Sequence, residues 1–169
     1  MHFYRPAALA DAPALAEIHN RATERYKEVY TPAECAERGY VLSTVDDMLA
    51  MLESREILCA EEDGQLLGYA AYRLKHPSTV WVSSLHVVPE AQRRGIGAGL
   101  LQRVEDWARA QQAVVVALET DQRFLWAVAF YQRQGYQTMT DEALALPPYQ
   151  HVLGKPQVPG RYIFVRRVS

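Results

Sequence analysis

The sequence predicts a mixed α/β sheet, and three observations carry that expectation. Residues 79–139 read as strand, helix, strand, helix, strand, the alternation that places helices beside a sheet. The pair Asp63-Gly64 lies between two apolar, strand-like runs and marks a hairpin turn. Two capping signatures, Thr31-Pro32-Ala33-Glu34 and Thr44-Val45-Asp46-Asp47, open helices ahead of that hairpin.

Taken in order, His2 to Arg5 reads as a short strand. Over residues 11–26, Ala14, Leu15, Ile18 and Ala22 recur at helical spacing, with Asp11 as the expected cap. A short second helix begins after Thr31, and a third runs from Thr44 through Leu52. The hairpin strands are Ile57 to Glu61 and Leu66 to Leu74. Thr79 to Val88 is a fourth strand with a defect: Val80 and Val82 share one face, and Leu85 and Val87 fall on the other. Either an extra residue is inserted at Ser83-Ser84 as a β-bulge, or the strand is buried on both faces. Pro89 ends it. Ile96, Leu100, Leu101, Val104 and Ala108 then line one face of a helix of about four turns. Ala113 to Leu118 is a continuous apolar run of the buried-strand kind. Arg123 to Gln134 is helical in composition and is closed by Gly135. Tyr136 to Met139 and Tyr162 to Val168 are the last strands, joined by a long loop containing Pro147-Pro148, Pro156 and Pro159.

At 169 residues the chain is expected to be one domain spanning 1–169, large enough for a core of its own. A net charge of -2 argues against a surface built to coat nucleic acid. Cys35 and Cys59 have neither metal-ligand spacing nor a disulfide pattern, so free thiols, a reducing compartment and no metal are expected. The N-terminus lacks the basic flank and apolar core of a secretory signal. The longest apolar run, Phe124 to Tyr131, is far short of a membrane span. A cytoplasmic protein without membrane or nucleic-acid partners is the expectation.

The chemistry concentrates in Glu90-Ala-Gln-Arg-Arg-Gly-Ile-Gly-Ala-Gly-Leu-Leu101, where three glycines alternate at the mouth of a helix, directly behind two arginines. Glycine costs roughly 1 kcal/mol against alanine inside a helix. A plain turn accounts for one of them. A dinucleotide fingerprint needs its third glycine at 100, where Leu100 stands, although Glu119 follows at about the right distance for such a site. A Walker loop is excluded because no Gly-Lys-Ser/Thr follows. The pattern fits a pyrophosphate cradle best: free amides and the positive dipole end of a helix bind phosphate oxygens, and Gly95 and Gly97 admit them to the backbone. Arg93 and Arg94 add charge.

Gln92-Arg93-Arg94-Gly95-Ile96-Gly97-Ala98 resembles the (Gln/Arg)-x-x-Gly-x-(Gly/Ala) acetyl-CoA motif of the GNAT superfamily of N-acetyltransferases. Leu85-His-Val-Val-Pro89 looks like the end of that family's fourth strand. Ala127-Val-Ala-Phe-Tyr-Gln-Arg-Gln-Gly-Tyr136 resembles its Ala-x-x-Phe-Tyr-x-x-x-Gly-(Phe/Tyr) segment, and Tyr4-Arg5-Pro6-Ala7 with Asp11-Ala12 resembles its opening. The motifs stand in the family's order along nearly the whole chain. One departure is Phe124, where the family often carries an asparagine that contacts the pantetheine arm.

The resemblance implies a mixed, mostly antiparallel central sheet of about seven strands with helices on both faces, splayed between strands four and five to admit acetyl-CoA. It implies cosubstrate contacts from Leu85, His86, Val87, Gln92, Arg93, Arg94, Gly95, Ile96, Gly97 and Ala98, the first three through the backbone. It also implies direct attack of an amine on the acetyl thioester, with the Val87 amide facing the carbonyl oxygen and Tyr131 as general acid. Glu119, at the end of the fifth strand, is the expected base, and His86 competes for that role. Asp121 is expected to cap the following helix instead. Tyr26, Glu28, Tyr30 and Glu34 suit a cationic acceptor, either a small molecule or a peptide, with His86 beside them. The loop from Thr140 to Gly160 is expected to cover the acceptor, with Tyr149 and His151 near the pocket. Many family members dimerise, which makes a homodimer the implied assembly. A non-catalytic acyl-CoA-binding protein and a dinucleotide-dependent oxidoreductase stand as alternatives.

Overall fold

The computed structural model describes residues 1–153 and 157–169. In chain order it contains β1 (Phe3–Pro6), α1 (Ala12–Thr23), α2 (Pro32–Glu37), α3 (Val45–Ser54), β2 (Glu56–Glu62), β3 (Gln65–His76) and β4 (Thr79–Val87). These are followed by α4 (Ile96–Ala110), β5 (Val115–Asp121), α5 (Leu125–Arg133), β6 (Gln137–Thr138), α6 (Asp141–Leu144) and β7 (Arg161–Arg167). The strands form one seven-stranded sheet in the order β1-β2-β3-β4-β5-β7-β6. Pairing is antiparallel for β1/β2, β5/β7 and β6/β7, and parallel for β4/β5. The mixed, seven-stranded architecture expected from the sequence is the one the chain adopts. A parallel pair needs a crossover, and α4 supplies it. The parallel register runs from Thr79↔Val115 to Val82↔Leu118, the residue before the Ser83-Ser84 step.

By compactness the chain divides into two units, Met1–Ala71 with Ser84–Leu101, and Tyr72–Ser83 with Gln102–Ser169, the boundaries falling inside β3, β4 and α4. In the first unit, α1 packs against α3, and Leu15, Ile18, Met48, Cys59 and Tyr69 are buried. Both capping boxes form: Thr31 Oγ1 accepts from the Glu34 amide at 3.3 Å and Thr44 Oγ1 from the Asp47 amide at 3.2 Å. Asp63 and Gly64 turn the hairpin with φ of 51° and 76°.

Asp11 departs from expectation. Its side chain makes no capping bond to α1. It accepts instead from the Ala8 amide at 2.7 Å and from two nitrogens of Arg5 at 2.8 and 3.0 Å, while Arg5 Nε donates to Glu61 at 2.6 Å. The bidentate Arg5 hydrogen bond holds the Asp11 carboxyl below the ordinary carboxylate range. A short-range cap loses here to a partner brought in by the β1/β2 pairing.

In the second unit, Val115, Ala117, Leu144, Val152, Ile163 and Val165 form one apolar cluster, with Trp81, Met139 and Tyr149 packed against it. After β6, Leu144 of α6 and Val152 belong to this core, and Lys75 Nζ donates to the Val152 carbonyl at 2.7 Å; Pro156 of the expected loop lies outside the described residues. Glu105 is buried beneath α4 and accepts from Tyr136 Oη and Arg166 Nη1, each at 3.1 Å. Among the described residues no helix is long and apolar enough to cross a membrane.

Candidate active site

The segment that follows β4 is shaped by backbone strain at its tip. Arg93 and Gly95 have φ of 61° and 80° on either side of Arg94, whose φ is negative. Alternation of this kind turns successive N–H groups toward one side, making an anion-binding concavity. Gly95 is the residue that makes it affordable, since a positive φ strains any side chain. The amide of Gly99 closes the first helical bond to the Gly95 carbonyl at 2.9 Å. The amides of Ile96, Gly97 and Ala98 precede it and have no intrahelical acceptor. Arg93 is exposed and makes no ion pair among the described residues, whereas Arg94 is joined to Glu62. Gln92 turns back, its Nε2 donating to the Val87 carbonyl at 3.1 Å. That bond ties the loop to the end of β4.

Leu85, His86 and Val87 continue β4 in the first unit, half-buried. The neighbouring β3 approaches them closely at Gly68: a Cβ there would stand 2.7 Å from the His86 carbonyl oxygen. Only glycine allows the strands to lie this near without movement.

The second unit holds the two groups expected to move protons. Glu119 does not end its strand. β5 continues to Asp121, and Glu119 pairs across to Ile163. Its Oε1 accepts from Arg161 Nη1 at 2.6 Å, and the two side chains are 30% and 24% exposed, a partly screened ion pair at the edge of solvent. Tyr131 lies on α5, half-buried, with its ring 5.5 Å from that of Phe164 and 6.2 Å from that of Tyr136. Asp121 is buried and accepts from the Arg123 amide at 2.9 Å, but it does not cap α5: the N-cap position is Phe124, with no side-chain capping bond, because the turn at 121–124 intervenes before the helix starts at Leu125. Phe124 is buried and stacks on Trp126 at 5.1 Å, so it fills space where the family often has an amide.

A helix start with free amides, preceded by an arginine-bearing turn at the end of a strand that opens a parallel pair, is a phosphate-binding arrangement. The sequence model of the acetyltransferase (GNAT) family matches residues 14–136. The chain belongs to the GNAT family of acetyltransferases. It is similar to the uncharacterised N-acetyltransferase YhfO of Bacillus subtilis, 29% identical over 143 residues that cover 80% of this chain and 90% of that protein. The S-(2-succino)cysteine N-acetyltransferase of the same organism is likewise 29% identical over 143 residues, covering 79% and 82%. Among solved structures, the PaiA N-acetyltransferase of Thermoplasma acidophilum in complex with coenzyme A superposes with a TM-score of 0.79 at 15% identity, covering 99% of both chains.

Acetyl-CoA is the cosubstrate of this family, and the residues here fit its diphosphate: Ile96, Gly97 and Ala98 offer amides, Gly95 opens the turn, and Arg93 is available as a cation. When bound, the thioester supplies an activated acetyl group.

On the side expected to receive the acceptor, the aromatic residues are not equally available. The Tyr30 ring is 3% exposed, with the Arg38 guanidinium 4.4 Å above it and Tyr40 beside it. A ring so covered presents no face to a substrate. Tyr26 is half-buried, edge-on to Tyr40 at 5.0 Å. Glu34 is engaged in its capping box and Glu28 lies 3.7 Å from Arg25. In the second unit, Tyr149 packs on the core and the His151 ring stacks on that of His76 at 3.5 Å.

Sequence reading missed His19 and Tyr69. His19 lies edge-on to His86 with ring centroids 4.8 Å apart, and Tyr69 stands 5.5 Å from His86. Burial, and then the neighbouring His19, push the His86 imidazole down to about 3. The only signal in the sequence was His19 at a helical position between core residues, and nothing there told it to face β4.

Proposed function

We propose that this enzyme transfers the acetyl group of acetyl-CoA to a primary amine of a small molecule or peptide. The amide turn at 93–98 is the observation that carries the reading, since it is shaped for a diphosphate and family membership says which one. In the reaction the amine lone pair forms a bond to the thioester carbonyl carbon and the carbon–sulfur bond breaks. The nitrogen loses one proton and the departing sulfur gains one. Glu119 takes the proton, directly or through water, after exchanging its bond to Arg161. Tyr131 donates the other through its hydroxyl. The Val87 amide stabilises charge developing on the carbonyl oxygen. The resemblance to an enzyme that acetylates S-(2-succino)cysteine supports including amino-acid conjugates among acceptors. The enzyme acts in the cytoplasm, as a homodimer.

The test is thiol release from acetyl-CoA with a panel comprising S-(2-succino)cysteine, a lysyl peptide and spermidine. Tyr131→Phe lowers kcat by about 100-fold with acetyl-CoA affinity unchanged by calorimetry. Turnover equal to the wild type would remove Tyr131 as the acid, and no turnover of any amine by the wild type would leave a binding protein.

A further inference from the structure

His86 poses a physical problem that the cosubstrate role of its backbone does not answer. Its side chain is fixed on two sides, by His19 from α1 at 4.8 Å and 69° and by Tyr69 from β3 at 5.5 Å and 55°. Those two are themselves held. Tyr69 is fully buried, shares a side-chain hydrogen bond with Ser84, and places its hydroxyl 3.5 Å from His19 Nδ1. His19 is hydrogen-bonded to the Val41 carbonyl. Yet among the described residues the ring nitrogens of His86 have no hydrogen-bond partner, although the ring is half-buried. Those nitrogens are not among the buried atoms left without a partner, so solvent, or a ligand in its place, reaches them, and a ring oriented by two neighbours yet open at its nitrogens is placed to bond a ligand. Asp47 acts electrostatically on His19, and among the described residues no carboxylate is hydrogen-bonded to His86 itself. One residue along the strand is Val87, whose amide is the proposed partner of the thioester oxygen.

We propose that His86 binds the acceptor: one of its ring nitrogens accepts a hydrogen bond from the amine to be acetylated, and His19 and Tyr69 hold the ring in place for that bond. The inference rests on the N-acetyl transfer reading above. It commits the enzyme to an amine that arrives uncharged at nitrogen, because an N–H is then given to the imidazole while the lone pair stays free for the carbonyl carbon. An ammonium has no lone pair to offer. The ring aligns the nucleophile and takes no proton, which remains the task of Glu119. His19 and Tyr69 are positioning residues that act through His86.

The test compares His86→Phe, which keeps a ring and loses the nitrogens, with His86→Gln, which restores a hydrogen-bonding group. His19→Phe removes a polar support while keeping an edge-on ring. Kinetics are measured with the best acceptor of the amine panel, and acetyl-CoA affinity by calorimetry on the same preparations. We expect His86→Phe to raise the acceptor KM and lower kcat/KM by at least tenfold with acetyl-CoA affinity within twofold of wild type. His86→Gln recovers a large part of that loss, and His19→Phe loses about threefold. An unchanged acceptor kcat/KM in His86→Phe overturns the assignment, as does a loss of acetyl-CoA affinity that matches the loss of kcat/KM. A second readout is the ring nitrogen shift of His86 in the wild-type protein labelled with 15N-histidine and saturated with coenzyme A. Adding the acceptor moves that resonance, and an unmoved resonance overturns the proposal even where His86→Phe does not fold. If wild type acetylates none of the amines, the transfer reading falls and takes this one with it. If wild type turns over and His86→Phe turns over equally, only the His86 assignment falls.

Discussion

Residues 92–98 of the first unit and residues 119–131 of the second contribute to the proposed reaction in opposite ways. The former act through the main chain: alternating φ at 93–95 and free amides at the start of α4, with Gln92 and Arg94 already spent on Val87 and Glu62. The latter act through side chains, a carboxylate held by Arg161 and a tyrosine packed on Phe164. A backbone device is written in the residues that leave the backbone free, which is why glycine spacing revealed it. A side-chain device depends on neighbours brought by distant parts of the chain, such as Arg161 opposite Asp121 on β7. Changes at 119 are thus expected to affect chemistry with little effect on cosubstrate binding, and changes around 92–98 the reverse.

The largest separation is expected from Glu119→Gln. The amide keeps size and can still meet Arg161, but it cannot take a proton. We expect kcat to fall by about 100-fold with acetyl-CoA affinity within twofold, measured by steady-state kinetics and calorimetry. A drop in affinity as large as the drop in kcat would erase the contrast between the two regions.

Two glycines of the first unit sharpen what a backbone device means. A Cβ at Gly68 meets the His86 carbonyl oxygen at 2.7 Å, which is main chain and yields only if a strand moves. A Cβ at Gly99 meets the Tyr4 hydroxyl at 1.9 Å, the far end of a side chain that can swing aside. Gly68→Ala is therefore expected to cost about 2 kcal/mol, as overpacking does. Gly99→Ala gains roughly 1 kcal/mol of helix propensity against the displacement of Tyr4 and changes stability little. Urea denaturation of both variants decides it. Equal losses would mean that the close approach of β3 to β4 is not the constraint.

What could be read from the sequence follows the same division. The capping boxes at Thr31 and Thr44, the Asp63-Gly64 turn and the amide turn before α4 are local devices with partners within a few residues, and they were legible. Asp11 was misread because Arg5 and Glu61 reach it through strand pairing. Tyr30 looked available because amphipathic spacing does not reveal that Arg38 lies over its ring. That Leu144 and Val152 join the core of the second unit was hidden in the sequence by the prolines and polar residues around them. The His19–Tyr69–His86 cluster joins a helix to two strands, and no periodicity within any one of them could announce it.

The smallest expected effect tests the one place where the backbone device is opposed by a side chain. Glu62 bonds Arg94 and lies near the Met1 amino group, and the Arg94 hydrogen bond in particular holds its carboxyl below the ordinary range. Arg94 is the second arginine of the motif, so a diphosphate arriving at 93–98 competes with Glu62 for it. The pair is partly exposed, 44% at Arg94 and 18% at Glu62, and solvent screens it, so Glu62→Gln is expected to change unfolding little. Its effect falls on binding: Arg94 is released and a negative charge beside the turn is removed, which tightens acetyl-CoA by about twofold to fivefold at low salt. Added salt screens the difference. Calorimetry at two ionic strengths reads this directly. Weaker binding in Glu62→Gln would mean that Glu62 holds Arg94 in a useful pose, and the turn at 93–98 would then depend on a side-chain scaffold after all.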